Sequence, residues 1–213
     1  MATIVLDPGH GGRDPGAVNG SRFESHDNLR LGLAVRDLLQ AQGQRVVMTR
    51  STDIFVPLEE RSAISNRSNA DIFVSLHRNA FSNSAANGVE TLVHTNATAI
   101  ERRNAQTVHN EIINAGVQGD RGVITANFAV LRDTIAPAMM VELGFISNAR
   151  DNQLFDQFFD AYAEAIARGI MASLGLRYRP QLPPPINISR PVMSAIQRMI
   201  AVITDAFTPN SAK

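Results

Sequence analysis

Thr3-Ile4-Val5-Leu6-Asp7-Pro8-Gly9-His10-Gly11-Gly12 is the stretch whose reading decides the fold. An apolar run that breaks into a glycine-rich turn reads as a buried strand opening onto a loop. It delivers His10 to the carboxyl edge of a sheet, where open α/β proteins build their sites. The pattern recurs twice. Asp71-Ile72-Phe73-Val74-Ser75-Leu76 ends in His77, and Ala138-Met139-Met140-Val141 ends in Glu142, with Gly144 close behind. Three strand ends presenting His, His and Glu are the parts of a metal site.

Outward from these strands, helical and extended patterns alternate. Residues 28–42 carry Leu29, Leu31, Leu33, Val35, Leu38 and Leu39 on the buried side of an amphipathic helix, and Gly43 stops it. Residues 44–48 and 88–94 predict short strands, as do 129–131 and 138–143. Helices are expected over 57–69 and 100–115, and one long helix over 152–174, closed by Gly175. About six strands separated by helices argue for a single α/β domain over residues 1–178, with a largely parallel or mixed sheet. A stiff proline-rich linker begins at Arg179. Beyond it, residues 191–207 place Val192, Ile196, Met199, Ile200, Ile203 and Phe207 on one helical stripe. That stripe is expected to pack on the domain or a neighbouring copy, or else to dock a partner.

Composition narrows the chemistry. The 213 residues carry 20 basic and 20 acidic side chains, so no global charge attracts nucleic acid or acidic lipid. Without cysteine there is neither disulfide nor thiolate ligand; a zinc ion must be held by imidazole and carboxylate, a set typical of catalytic sites. No stretch reaches the roughly 18 apolar residues of a membrane span.

Metal chemistry needs two or three neutral imidazoles or carboxylates converging on a point, with one position left open. His10 and His77 each follow an apolar strand. Glu24 sits where the chain turns back into its first helix, and Glu142 closes the set from another strand. His26 is a candidate second partner or a solvated loop residue, while His94 and His109 lie in polar stretches. Arg78 points to the opposite face if the pleat continues through His77; if the pleat breaks there, it reaches substrate carboxylates. Arg13 and Arg132 are comparable candidates, and Asn79 joins the substrate-binding set. The turn after the first strand lacks the third glycine of a dinucleotide fingerprint and the Gly-Lys-Ser/Thr of a P-loop. No Gly-x-Ser-x-Gly elbow or His-Glu-x-x-His helix occurs.

The blocks Ile4 to Gly12, Glu24 ahead of Asn28-Leu29, Thr49-Arg50, Leu58-x-x-Arg61, Asn66, Ala70 to Ala80, Val130-Leu131-Arg132 and Pro137 to Asn148 together resemble the zinc-dependent type-3 N-acetylmuramoyl-L-alanine amidases. The resemblance covers residues 3 to 176. It implies a twisted, mostly parallel sheet of about six strands flanked by helices. It also implies one zinc ion on His10, Glu24 and His77, and a catalytic glutamate at Glu142. The implied substrate is peptidoglycan, cut between N-acetylmuramic acid and the L-Ala of its stem peptide, in wall remodelling or septum processing. Arg78 departs from the small residue usual after the second His. Residues 81–87 form a short Asn/Ser/Ala loop where some division amidases carry a plugging helix, so no obligatory activator is expected. Work on peptidoglycan implies export to the periplasm or cell wall, with the chain a domain excised from a longer secreted protein. The rivals are another zinc amide hydrolase on the same frame and a non-catalytic wall-binding module.

Overall fold

The computed structural model describes residues 1–116 and 118–180; residues 191–207, with their expected stripe, lie outside the described part. In chain order, β1 (Thr3–Pro8) is followed by a small hairpin of β2 (Val18–Asn19) and β3 (Arg22–Phe23), then by α1 (Glu24–Ala41) and β4 (Arg45–Met48). Next come α2 (Leu58–Arg67), β5 (Ile72–Asn79), β6 (Val89–His94) and α3 (Ala99–Asn114). The chain continues through β7 (Asp120–Ala126), α4 (Ala129–Arg132), β8 (Ala138–Phe145), α5 (Ala149–Gln157) and α6 (Phe159–Ser173).

Six strands form one sheet in the order β4-β1-β5-β8-β6-β7. Every pairing is parallel except β6 with β8. The central strands are apolar on both faces because both are covered, as a parallel sheet requires. Ile4, Leu6, Ile72, Val74, Leu76, Met139 and Val141 pack against Val35 and Leu39 of α1, Val108 and Ile112 of α3, and Ile166 and Ile170 of α6. Val5, Phe73, Ala138 and Met140 face the other way, onto the smaller cluster that includes Val130 and Leu131 of α4. The strand period of two puts Asp7, Ser75, His77 and Glu142 on this second face. The site therefore grows from the thinly covered side of the sheet.

Several boundaries differ from the sequence reading. Residues 129–131 are not a strand but most of α4, which buries Val130 and Leu131. The sixth strand is instead β7, an edge strand with Gly122 at φ 84 and mixed polarity, so it lacks an apolar run. The expected helix over 152–174 is two helices. Phe158 leaves helical geometry at φ −114, ψ 24, while Phe155 and Phe159 meet edge to face across the joint. Helix α1 begins four residues earlier than its leucine pattern indicates, which makes Glu24 its first residue.

Candidate metal centre

The turn after β1 is held by guanidinium groups from two neighbouring segments. Arg50 Nε donates to Pro8 O and its Nη2 to Gly9 O, each at 2.8 Å. Arg61 Nη1 donates to Pro8 O and Nη2 to His10 O, also at 2.8 Å. These bonds satisfy carbonyls that a tight turn would otherwise leave orphaned. They also hold His10 at φ 61, a left-handed conformation that costs a non-glycine residue about 1–2 kcal/mol. Glycine is needed beside it. A Cβ on Gly9 would sit 2.2 Å from the His77 ring, and one on Gly16 would sit 2.6 Å from the His10 ring and 2.7 Å from Glu24 Oε2.

Glu24 is fixed from both ends. Its Oε2 accepts from Ala17 N at 2.9 Å, and its Oε1 accepts from Asn28 Nδ2 and from Arg78 N, each at 3.2 Å. Placement at the start of α1 sets the carboxylate against the positive end of the helix. His77 Nδ1 lies 2.8 Å from Glu24 Oε1, and His10 Nε2 lies 3.2 Å from Glu24 Oε2. The two imidazole rings meet edge to face at 5.0 Å. Asp14 Oδ2, 2.8 Å from His10 Nδ1, orients that ring through its other nitrogen. One donor atom each from His10, Glu24 and His77 lies within 4.8 Å of the others. Two imidazoles and a carboxylate are a three-ligand set suited to a catalytic zinc ion, leaving a fourth position for substrate or water. The residues present fit such an ion.

Glu142 stands beside this group, in register with His77 across β5 and β8. Its Oε2 is buried with no hydrogen-bond partner. Burial is the main reason its pKa is pushed up to about 7; His77 opposes the rise, while Glu24 and Glu90 reinforce it. His10 moves the other way from what burial dictates. Burial would lower it, but Glu24 and Asp14 together push it up to about 9. His77 is raised as well, against its burial, by Glu24 and Glu142. Glu24 is buried too, yet hydrogen bonds and charge from both imidazoles hold it well below the usual carboxylate range. His10, its pKa pushed up to about 9, thus pairs with Glu24 as imidazolium with carboxylate.

A cavity of about 530 Å³ opens over these residues. His10, Glu24, His77 and Glu142 line its polar part, and Phe55, Val56, Leu58, Phe128, Val130 and Met140 its apolar wall. Asn79 also lines it, its Oδ1 accepting from Ala80 N at 2.7 Å. Arg78 borders the cavity at its backbone, whose N donates to Glu24, but its guanidinium lies on the opposite face, fully buried, where the β5–β8 register shifts between His77 and Asn79. There Nη1 donates to Asp27 Oδ2 and Nη2 to Asn152 Oδ1, each at 2.8 Å, with Phe155 beneath it at 4.3 Å. Arg132 lies at the surface, bonded to Asp133 and Asn127, and is not among the residues lining the cavity.

His26 is exposed beside Asp53, and His94 bonds Asn127. His109 is buried between Thr91 and Asp120, away from the cavity. The sequence reading missed Asp14, four residues after His10, and the turn-holding arginines. Arg50 and Arg61 were visible only as motif letters, because a guanidinium that bonds backbone carbonyls leaves no pattern of its own.

Comparison with known proteins places the chain in a family. Residues 4–172 match the family described as N-acetylmuramoyl-L-alanine amidase. A sporulation-specific N-acetylmuramoyl-L-alanine amidase of Bacillus subtilis is 35% identical, over 83% of this chain and 70% of its own length. The amidase LytC of the same organism is 37% identical, over 80% of this chain but 35% of its own. Among solved structures, the catalytic domain of the amidase CwlV from Bacillus (Paenibacillus) polymyxa superposes with a TM-score of 0.78 at 35% identity, covering 83% of this chain and 100% of that one. The amidase AmiC2 of Nostoc punctiforme gives 0.76 at 37% identity, covering 82% and 97%. With a family match across most of its length, and a relative 35% identical over 83% of it, the chain belongs to the N-acetylmuramoyl-L-alanine amidases.

Proposed function

We propose that this amidase uses one zinc ion, held by His10, Glu24 and His77, to hydrolyse the amide between N-acetylmuramic acid and L-Ala of the stem peptide. Its setting is the exported cell-wall compartment, in remodelling or septum processing. The observation that carries the reading is the convergence of three donors beside the buried carboxyl group of Glu142, whose Oε2 has no hydrogen-bond partner. A bound zinc ion supplies Lewis acidity, which polarises the scissile carbonyl and makes water a better nucleophile there. The rest falls to the chain. Glu142, poised near neutrality, takes a proton from the attacking water at Oε2. It then passes one to the departing L-Ala nitrogen, which cannot leave as an amide anion. Asp14 keeps His10 turned toward Glu24, and the apolar wall keeps bulk water from the reacting bond.

Purified peptidoglycan decides the assignment. The expected product is free peptide beginning with an L-Ala amino group; release stops with a chelator and returns with zinc. Shorter peptides or acetate as the product, or indifference to chelation, would overturn it.

Metal uptake carries its own pH signature. With its pKa pushed up to about 9, His10 holds a proton below that pH, and a metal ion must displace it. Apparent zinc affinity should therefore rise about tenfold per pH unit for each proton displaced, and level off above about pH 9. Competition with a chromophoric chelator at pH 6, 7 and 8 measures this. A flat profile would contradict the imidazolium–carboxylate description.

A further inference from the structure

The buried stripe of α1 runs through positions 24, 28, 31, 35 and 39, and its last three members are Leu31, Val35 and Leu39. The helical period asks for another apolar residue at 28. Asn28 stands there instead. It is fully buried, and its Oδ1 has no hydrogen-bond partner among the described residues. An orphaned amide oxygen in the interior lowers stability, and a leucine at the same place would not. The other end of the side chain accounts for its presence.

That end joins two parts of the metal centre. Asn28 Nδ2 donates to Glu24 Oε1 at 3.2 Å and to Gly9 O at 3.4 Å. Glu24 lies one helical turn earlier, so the i,i+4 spacing sets the amide directly beside the carboxylate. Gly9 precedes His10 in the β1 turn and packs so tightly on the His77 ring that a Cβ would sit 2.2 Å from it. One side chain thus ties the helix that carries the carboxylate to the turn that carries an imidazole. Its orientation is fixed, because turning the amide over would set Oδ1 against two acceptors.

Neither acceptor needs Asn28 for satisfaction. Gly9 O also receives Arg50 Nη2 at 2.8 Å, and Glu24 Oε1 also receives Arg78 N at 3.2 Å. The two bonds therefore restrict where the carboxylate points; they do not rescue a stranded group. A ligand already held in place loses less freedom when a metal ion arrives.

We propose that Asn28 is a positioning residue for the metal ion, locking the Glu24 carboxylate to the β1 turn and raising metal affinity at the expense of fold stability. The proposal rests on the reading of His10, Glu24 and His77 as zinc ligands.

The test compares zinc affinity with urea unfolding of the metal-free full chain, at one pH, for the native protein, Asn28→Leu, Asn28→Ala and a core control, Val35→Ala. Asn28→Leu removes the orphaned oxygen and nearly keeps the volume. Its unfolding midpoint should stay at or above the native one while zinc affinity falls about 10- to 100-fold. Asn28→Ala should lose a similar factor in affinity, with a lower midpoint from the space it leaves. Val35→Ala should lower the midpoint and keep native affinity. Native affinity in either folded Asn28 variant would overturn the assignment, as would an equal loss in Val35→Ala. Failure of both Asn28 variants to fold would overturn it too, since Asn28 would then serve the fold itself. A native chain that takes up no zinc would instead remove the ligand reading on which the proposal stands.

Discussion

Glu142→Gln is expected to lower turnover on muropeptides by about 10²- to 10⁴-fold, the usual contribution of a positioned proton-transfer group. The fold and the bound metal should be retained. Gln fills the same volume on β8 and presents an oxygen to the same cavity, so packing around Met140 and Val141 is undisturbed. What it lacks is a site that gains and loses a proton near neutrality. The native carboxyl has that property because burial pushes it up to about 7. With deprotonated Glu142 as the proposed base, native activity should rise as pH climbs through this region. A cation bound nearby favours the carboxylate, which sets the apparent midpoint at or below that value. The variant's residual activity should lose this rise. Metal content measured alongside peptide release completes the test: a zinc-loaded Glu142→Gln chain with native turnover would remove Glu142 from the chemistry.

Arg61→Met should cost about 3–5 kcal/mol of folding stability, the scale for removing one partner of a buried ion pair. Arg61 and Asp7 are 2% and 1% exposed and meet at 2.7 Å. Methionine fills much of the space but leaves the Asp7 charge with only Thr49 Oγ1 and Ser75 Oγ as donors. It also strips side-chain donors from the carbonyls of Val56 and His10; Pro8 keeps its bond from Arg50. Urea unfolding midpoints report the loss. Adding Asp7→Asn to Arg61→Met should recover part of it, because the stranded charge is then gone. A loss under about 1 kcal/mol for the single variant would show that the pair contributes little. Freed from Arg61, the His10 backbone also has less reason to remain left-handed, so metal affinity should fall with stability.

Much of this was legible in the letters because buried parallel strands are continuous apolar runs, and β1, β5 and β8 are such runs. The residues ending them, His77 and Glu142, fell on the site face because the strand period is strict. Elements that obey no such pattern were harder. Strand β7 pairs on one side only and stays largely exposed, so Asp120-Arg121-Gly122 reads as loop. Val130-Leu131 reads as strand, although burying two adjacent apolar residues also suits one turn of helix. Arg78 shows what a sequence leaves open. Its destination hung on whether the pleat survived one more residue, and packing against Phe155 and Asp27 answers that from sequence positions far away. Likewise, no spacing rule announces that Arg50 and Arg61 will clasp the β1 turn.

The unequal covering of the sheet has a consequence for how such an enzyme can be remodelled. Three long helices lock the hidden side, whereas only short α2 and α4, with the segments leading into them, roof the working side. Substitutions or insertions in that roof therefore leave the deep packing that aligns His10, Glu24 and His77 largely untouched. Selectivity can drift among descendants, or be rewritten by an engineer, while the chemistry beneath stays put.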